Sequence, residues 1–167
     1  LYDALSENVK EGLKQKLIEL VEGAKISSLR HKLCDCISGL GKALVPEGAY
    51  NSLIPKLFEW SKNKDPALRE ASLSIFQQLS LTLMDKGLQV ILKALYVCML
   101  RGLQDTNSKV KGAAFECVCT VAMILDDENT RNSLTKIIPH LLACLAGLLN
   151  IGDVDVTTKA LESLVEL

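Results

Sequence analysis

Apolar residues recur along the chain at intervals of three and four, and no stretch sustains the every-second-residue alternation of a half-buried strand. The pattern predicts an all-α protein. A first helix spans about 5–21, with Leu5, Val9, Leu13, Leu17, Leu20 and Val21 on one side and Ser6-Glu7 at its start. After Gly23 a second runs from Ser27 to Leu44 on the stripe Leu29, Leu33, Ile37, Leu40 and Leu44, and Pro46-Glu47-Gly48 stops it. Leu53, Ile54, Leu57, Phe58 and Trp60 build a third, ending at Asn63-Lys64. Asp65-Pro66 opens a fourth. An aspartate accepts hydrogen bonds from free N–H groups at a helix start, and proline there gives up only a donor that had no partner. Its inward face is Leu68, Ala71, Ser72, Ile75 and Leu79.

A fifth helix, about 86–104, carries Leu88, Ile91, Leu92, Leu95, Cys98 and Met99. It faces Val110, Ala113, Ala114, Cys117, Val121 and Leu125 of a sixth, about 108–125, across Asp105-Thr106-Asn107, with Ser108 as the expected N-cap. The last pair follows Asp126-Asp127-Glu128, whose charges suit a helix N-terminus. It turns at Gly152-Asp153 and ends with Val156, Ala160, Leu161 and Leu164.

The eight helices repeat as four hairpins. Aligning the second helix of each puts Leu29-Arg30, Leu68-Arg69, Val110-Lys111 and Val156-Thr157 in one column, at spacings of 39, 42 and 46 residues. Two helices on such a period are the mark of HEAT repeats, which stack into an α-solenoid. The expected fold is therefore a right-handed stack of four units, about 1–46, 47–84, 85–126 and 127–167, forming one segment. Pro55 and Pro139 recur in the first helices, where an interior proline would bend them along the curve of the stack. Asp65 and Asp153 stand three residues before the apolar position that opens the second helix, and Ala71, Ala113 and Ala160 permit close helix approach. Arg30 and Arg69 read as ladder residues, bonding to the turn of a neighbouring repeat as at Asp65. Thr157 breaks the basic column, so the fourth unit is expected to stack differently.

Composition narrows the functional classes. The 167 residues carry 19 Lys+Arg against 20 Asp+Glu, a net charge of -1, and are 49% hydrophobic but only 4% aromatic. A core built from aliphatic residues is large enough to fold without disulfide or metal. The near-zero charge gives no general attraction to nucleic acid or to an anionic membrane surface. The most apolar stretch, 137–151, contains Pro139, His140 and Asn150 and reads as a core helix, not a membrane span. There is no basic leader at Leu1, and both ends fall inside an apolar pattern, as expected of a piece of a longer chain.

Catalytic and metal chemistry finds little to converge on. Cys34, Cys36, Cys98, Cys117, Cys119 and Cys144 include two C-x-C pairs, but residues two apart on a helix point about 200° away from each other and cannot chelate together. They read as small buried hydrophobes of a reducing compartment, cytosol or nucleus. His31 and His140 lie on different repeats. Gly39-Leu40-Gly41-Lys42 lacks the first glycine and the final Ser/Thr of a phosphate loop and reads as helix packing. Glu19 and Glu22 form no acid–base motif, and Trp60 reads as half-buried packing between units. No enzyme, cofactor or metal site is expected.

The run from Leu29 to Asp35 (Leu-Arg-His-Lys-Leu-Cys-Asp), followed by Leu57-Phe58-Glu59-Trp60 and by Leu68-Arg69-Glu70-Ala71 leading to Phe76, resembles the importin-beta (karyopherin-beta) family, and within it the importin beta-three (importin-5) type. The resemblance covers essentially the whole chain and places it in the N-terminal third of such a receptor, roughly its third to sixth repeats. It implies a shuttling nuclear transport receptor that binds protein cargo, phenylalanine-glycine nucleoporins and the GTPase Ran, the GTP form of which releases import cargo. A HEAT scaffold of another kind, serving a phosphatase or vesicle traffic, is the alternative left open by the generic Asp and Arg columns. The expected partner surface is the solvent side of the second helices: Lys32, Asp35, Arg69, Glu70, Lys109, Lys111, Glu116, Lys159 and Glu162. Its mixed signs favour a specific protein contact over a polyelectrolyte groove.

Overall fold

The computed structural model describes residues 2–85, 89–125, 132 and 134–167. Among them are eight α-helices and no strand: α1 Glu7–Gly23, α2 Ser27–Leu44, α3 Leu53–Trp60, α4 Pro66–Asp85, α5 Gln89–Leu103, α6 Ser108–Ile124, α7 Ile138–Ile151 and α8 Val154–Val165. Short 3-10 turns occupy Tyr2–Ala4 and Thr135–Ile137. The expected start of the fifth helix at Lys86, the core role of Leu88 and the charges of Asp126-Asp127-Glu128 lie outside the described residues.

Each odd-numbered helix packs on the helix that follows it, and α2, α4, α6 and α8 pack side by side in sequence. The result is two layers, first helices in one and second helices in the other, and the fold is an α-solenoid. The second helices begin at Ser27, Pro66, Ser108 and Val154, so the spacings of 39, 42 and 46 residues read from the sequence are those of the structure.

Helix starts follow a single column of caps. Asp65 Oδ1 accepts from the N–H of Ala67 at 2.9 Å, and Asp153 Oδ1 from Val156 at 3.4 Å. In the third unit the cap is Asn107, which accepts from Lys109 and Val110 at 3.0 and 3.3 Å. Ser108 is thus the first helical residue and not the N-cap: an amide oxygen one residue earlier already serves the free N–H groups. In the first unit Ile26 stands in this column, with no side chain to cap.

The core runs continuously between the layers, with Ile37, Leu57, Trp60, Phe76, Leu79, Leu95, Phe115, Val121 and Leu148 fully covered. Burying each such side chain stabilises the fold by roughly 1.5–3 kcal/mol. Ala71, Ala113 and Ala160 are buried between helices, as their small size requires. Glycine does the same at two crossings. A Cβ on Gly102 would lie 2.7 Å from that of Ala114, and one on Gly112 2.5 Å from Val156 Cγ1.

Four expectations are corrected. On α2 the buried face is Cys34, Ile37, Ser38, Gly41 and Leu44, while Leu29 is exposed. On α1 it is Lys14, Leu17, Ile18 and Val21, with Val9, Leu13 and Leu20 open to solvent. In both, an apolar arc wider than one contact face left the choice of face to the neighbouring helices. The prolines are not interior: Pro55 and Pro139 stand in the first turns of α3 and α7, where a missing N–H leaves no bond unmade and no bend is required. Trp60 is fully buried, not half-buried, because its indole N–H finds a carboxylate, Glu22 Oε1 at 2.9 Å, across the joint between the first two units.

Candidate protein-binding groove

Helical periodicity brings one face of every second helix to a common surface. Positions i, i+3, i+4 and i+7 of α6 are Lys109, Gly112, Ala113 and Glu116; α4 supplies Glu70, Ser74, Gln77 and Gln78 on the same rule. With His31, Cys34 and Asp35 of α2, Asp155, Val156 and Lys159 of α8, and Asp153 before it, they line a groove with a cavity of about 420 Å³. Gly112 and Ala113 both line it, and a Cβ on Gly112 would meet Val156 of α8.

Polar side chains tie the walls together. His31 Nε2 lies 3.0 Å from Glu70 Oε1, joining α2 to α4, and Gln78 donates to Asp35 Oδ1 at 3.1 Å beside it. Asp35 also pairs loosely with Lys32 at 3.6 Å. Gln77 donates to Thr120 at 3.3 Å, joining α4 to α6, and Ser108 donates to Asp153 Oδ2 at 2.8 Å, joining α6 to the turn before α8. Glu116 stands among these without an ion pair or side-chain hydrogen bond to any described residue. Burial holds its carboxyl above the ordinary carboxylate range; Lys159 and His31 pull it back, and Glu70 and Glu162 push it up.

Five of the nine residues expected on the partner surface therefore line one groove: Asp35, Glu70, Lys109, Glu116 and Lys159. Lys32 sits exposed at its margin, and Glu162 reaches it only through its charge. Lys111 does not face it. Two residues beyond Lys109, it points to the other layer, where its ammonium lies against Gly147 of α7. Arg69 is spent in a clasp at the edge of the stack: Nε and Nη2 donate to the two carboxylate oxygens of Asp105 at 2.7 and 2.9 Å, and Nη1 donates to the carbonyls of Asn63 and Lys64. This is the neighbouring-turn ladder expected of Arg69, with Asp105 and not Asp65 as the acceptor. Arg30 departs from it and donates to Val21 and Ala24 in its own unit.

His31, Ser74, Gln77, Gln78 and Asp155 belong to the groove and were not anticipated. Their signal was present, because each falls four, seven or eight residues from one that was, on the same helix face. A second cavity, also about 420 Å³, is apolar and lies between the end of α6 and the start of α7, lined by Val118, Ala122, Met123, Leu134, Ile137, Ile138, Leu141 and Leu167. No group of three metal-ligating side chains is found among the described residues, and none of their helices is long and apolar enough to cross a membrane.

Stacked helical hairpins with a groove across one layer define the chain as a solenoid of the kind that presents an extended concave surface. The chain belongs to the family described as IPO5-like, TPR repeats, whose model matches residues 25–167. The hairpins recur at 39–46 residues, longer than the 34 of a TPR unit and in the range of HEAT. The fold is similar to that of Kap121p, with a TM-score of 0.75 and 25% identity over 98% of this chain and 15% of that one. It is similar to Kap121p bound to Pho4p (TM-score 0.73, 24%) and bound to Nup53p (0.72, 24%), with the same coverage. The chain thus spans about 15% of the length of the Kap121p chains it matches.

Proposed function

We propose that the chain is a segment of a nuclear transport receptor and that the groove across α2, α4, α6 and α8 docks a partner protein. The observation that carries this reading is that all four units contribute to one groove. Four helices at packing distances of 8–10 Å span about 25–30 Å, the reach of some eight residues of extended chain. A groove of that form suits a protein segment better than a compact small molecule. Its role is binding and not catalysis.

The family kinship supports the finer reading: the receptor carries protein cargo between cytoplasm and nucleus, and the GTP form of Ran controls release. Kap121p bound to Pho4p, and to the nucleoporin-named Nup53p, supports partners of both kinds for this chain. For phenylalanine-glycine nucleoporins, the apolar cavity beside Ile137 and Leu141 has the size and character a phenylalanine ring needs. Unit boundaries at 46, 84 and 126 belong to the same proposal. The test is a pull-down of the full-length parent with Ran loaded with GTP or GDP. Selective capture of the GTP form is expected; equal or absent capture of both refutes the transport reading.

A further inference from the structure

Charge is spread unevenly over the layer of first helices, on the side of the stack away from the groove. On α1 and α3 the lysines are matched with acids: Lys10 pairs with Glu7, Lys14 with Glu11, Lys16 with Glu19, and Lys56 with both Glu22 and Glu59. On α5 and α7 the matching stops. Residues 89–103 and 135–151 contain no Asp or Glu, yet they carry Lys93, Arg101, Lys136 and His140. Lys93, Arg101 and Lys136 are exposed and make no ion pair or hydrogen bond with any described residue. The acid next along the chain, Asp105, is already held in the Arg69 fork.

These cations form a patterned surface. Lys93, Val97 and Arg101 stand at i, i+4 and i+8 of α5 and so share one ridge of that helix. Val97, between the two charges, is 51% exposed. Gln104 follows one turn on, and its Nε2 lies 3.2 Å from His140 Nδ1, which brings the end of the ridge against α7. Lys136 lies one turn before His140, and the exposed Leu142 just after it. An exposed apolar side chain is thus bracketed by two unpaired cations, with a third on the neighbouring first helix.

Such a ridge selects by charge and by spacing. A neutral apolar segment laid on Val97 would strip water from the flanking cations and give nothing back, whereas carboxylates supply the partner that α5 and α7 lack. Four residues of helix rise about 6 Å, and alternate residues of an extended chain stand about 6.6–6.8 Å apart on one face. The two repeats match. We propose that the α5 ridge docks an extended acidic segment of a partner protein, of the pattern acid-x-apolar-x-acid: the acids meet Lys93 and Arg101, the apolar residue covers Val97, and Lys136 adds attraction from α7. An anionic membrane fits less well, since surface-binding segments use clusters of about four to eight Lys and Arg. This face is separate from the groove, and docking on it does not depend on docking there.

The test is an NMR titration of the nitrogen-labelled chain at low salt with the peptide Gly-Gly-Glu-Gly-Leu-Gly-Glu-Gly-Gly. One control peptide has Gln in place of Glu, and another has the two Glu side by side. Amide shifts are expected over 92–104 and 136–143, with affinity several-fold higher for the spaced Glu peptide than for either control and falling as salt is added. Lys93→Gln combined with Arg101→Gln should weaken binding about three- to tenfold, the worth of two exposed ion pairs, with the circular dichroism unchanged. Lys42→Gln, which removes an exposed charge from α2, should leave affinity within about twofold. Absence of shifts, shifts centred on the groove, equal binding of either control peptide, or an equal loss in Lys42→Gln overturns the proposal. Phosphatidylserine vesicles captured in preference to the peptide also overturn it.

Discussion

Arg69→Ala removes a guanidinium that holds three groups at once. Its fork to Asp105 crosses from the second unit to the third, and its remaining nitrogen closes the Asn63-Lys64 turn. The arginine side chain is 17% exposed and the aspartate 7%, so the pair lies between an exposed ion pair, with a contribution of about 0–1 kcal/mol, and a buried one, whose breakage costs about 3–5 kcal/mol. Asp105 would keep only backbone donors, among them the N–H of Asn107 at 2.9 Å. We expect a loss of about 2–3 kcal/mol, read by urea unfolding followed at 222 nm. Arg69→Lys should recover less than half of it, because an ammonium cannot reproduce the two parallel bonds. A double-mutant cycle with Asp105→Ala should give a coupling of at least about 1 kcal/mol. Burial alone would raise the Asp105 carboxyl, but the bonds from Arg69 and the backbone N–H groups outweigh it and hold it below its ordinary value. The stability it contributes is therefore present above about pH 4 and lost as pH falls further, so wild type and Asp105→Asn should converge on acidification. A loss under about 1 kcal/mol for Arg69→Ala, or a coupling of zero, would refute the clasp as the tie between these units.

Three other substitutions or reagents probe the joints. Gly112→Ala gains helix propensity but drives a Cβ into Val156 Cγ1, for a net loss of about 1–2 kcal/mol in thermal or urea unfolding; in a Val156→Ala background the sign should reverse. Glu22→Ala leaves the buried Trp60 N–H without its acceptor and should cost about 1–2 kcal/mol, and the emission of this single tryptophan reports the event directly. Of the six cysteines only Cys36 is exposed, and burial pushes the thiols of Cys34 up to about 12 and of Cys119 and Cys144 up to about 11. A disulfide reagent at pH 7.5 should therefore titrate one thiol quickly in the folded chain and six in denaturant, and fast reaction of a second would contradict the packing.

The repeat was legible because it rests on local chemistry: caps, turn glycines and a 3.6-residue period lie within a few residues of one another. The same locality made Ser27–Leu44 readable to the residue. What failed depends on distant neighbours. Leu29 and Cys34 are equally good apolar positions by sequence, and only the placement of α4 beside α2 decides that Cys34 is covered. Lys109 and Lys111 are both basic and near a helix start, yet a rotation of about 200° sends one into the groove and the other toward Gly147. Ser108 and Asn107 are both good caps, and the choice turned on which was three residues before Val110. Asp105 carried no sign of its partner, because Arg69 reaches it across 36 residues.

The joints between units are unlike one another, and that bears on how the stack would accommodate a partner. The first is fixed by Trp60 and Lys56 converging on Glu22, and by Lys14, whose ammonium donates to the Ala49 carbonyl at 2.5 Å. The second is fixed by the Arg69–Asp105 fork at the loop edge. The third has no ion pair among the described residues; Ser108 donates to Asp153, and Gln104 lies 3.2 Å from His140. On the groove side all three are joined by Gln, Thr, His, Ser and carboxylate groups that can exchange partners with water or with a docked segment at little net change in hydrogen bonding. A solenoid unit touches only its neighbours, so a small rotation at one joint is not resisted by the rest. The charged clasps lie away from the groove and the exchangeable bonds lie in it. Opening or closing of the groove can then proceed by trading the exchangeable set about the fixed one.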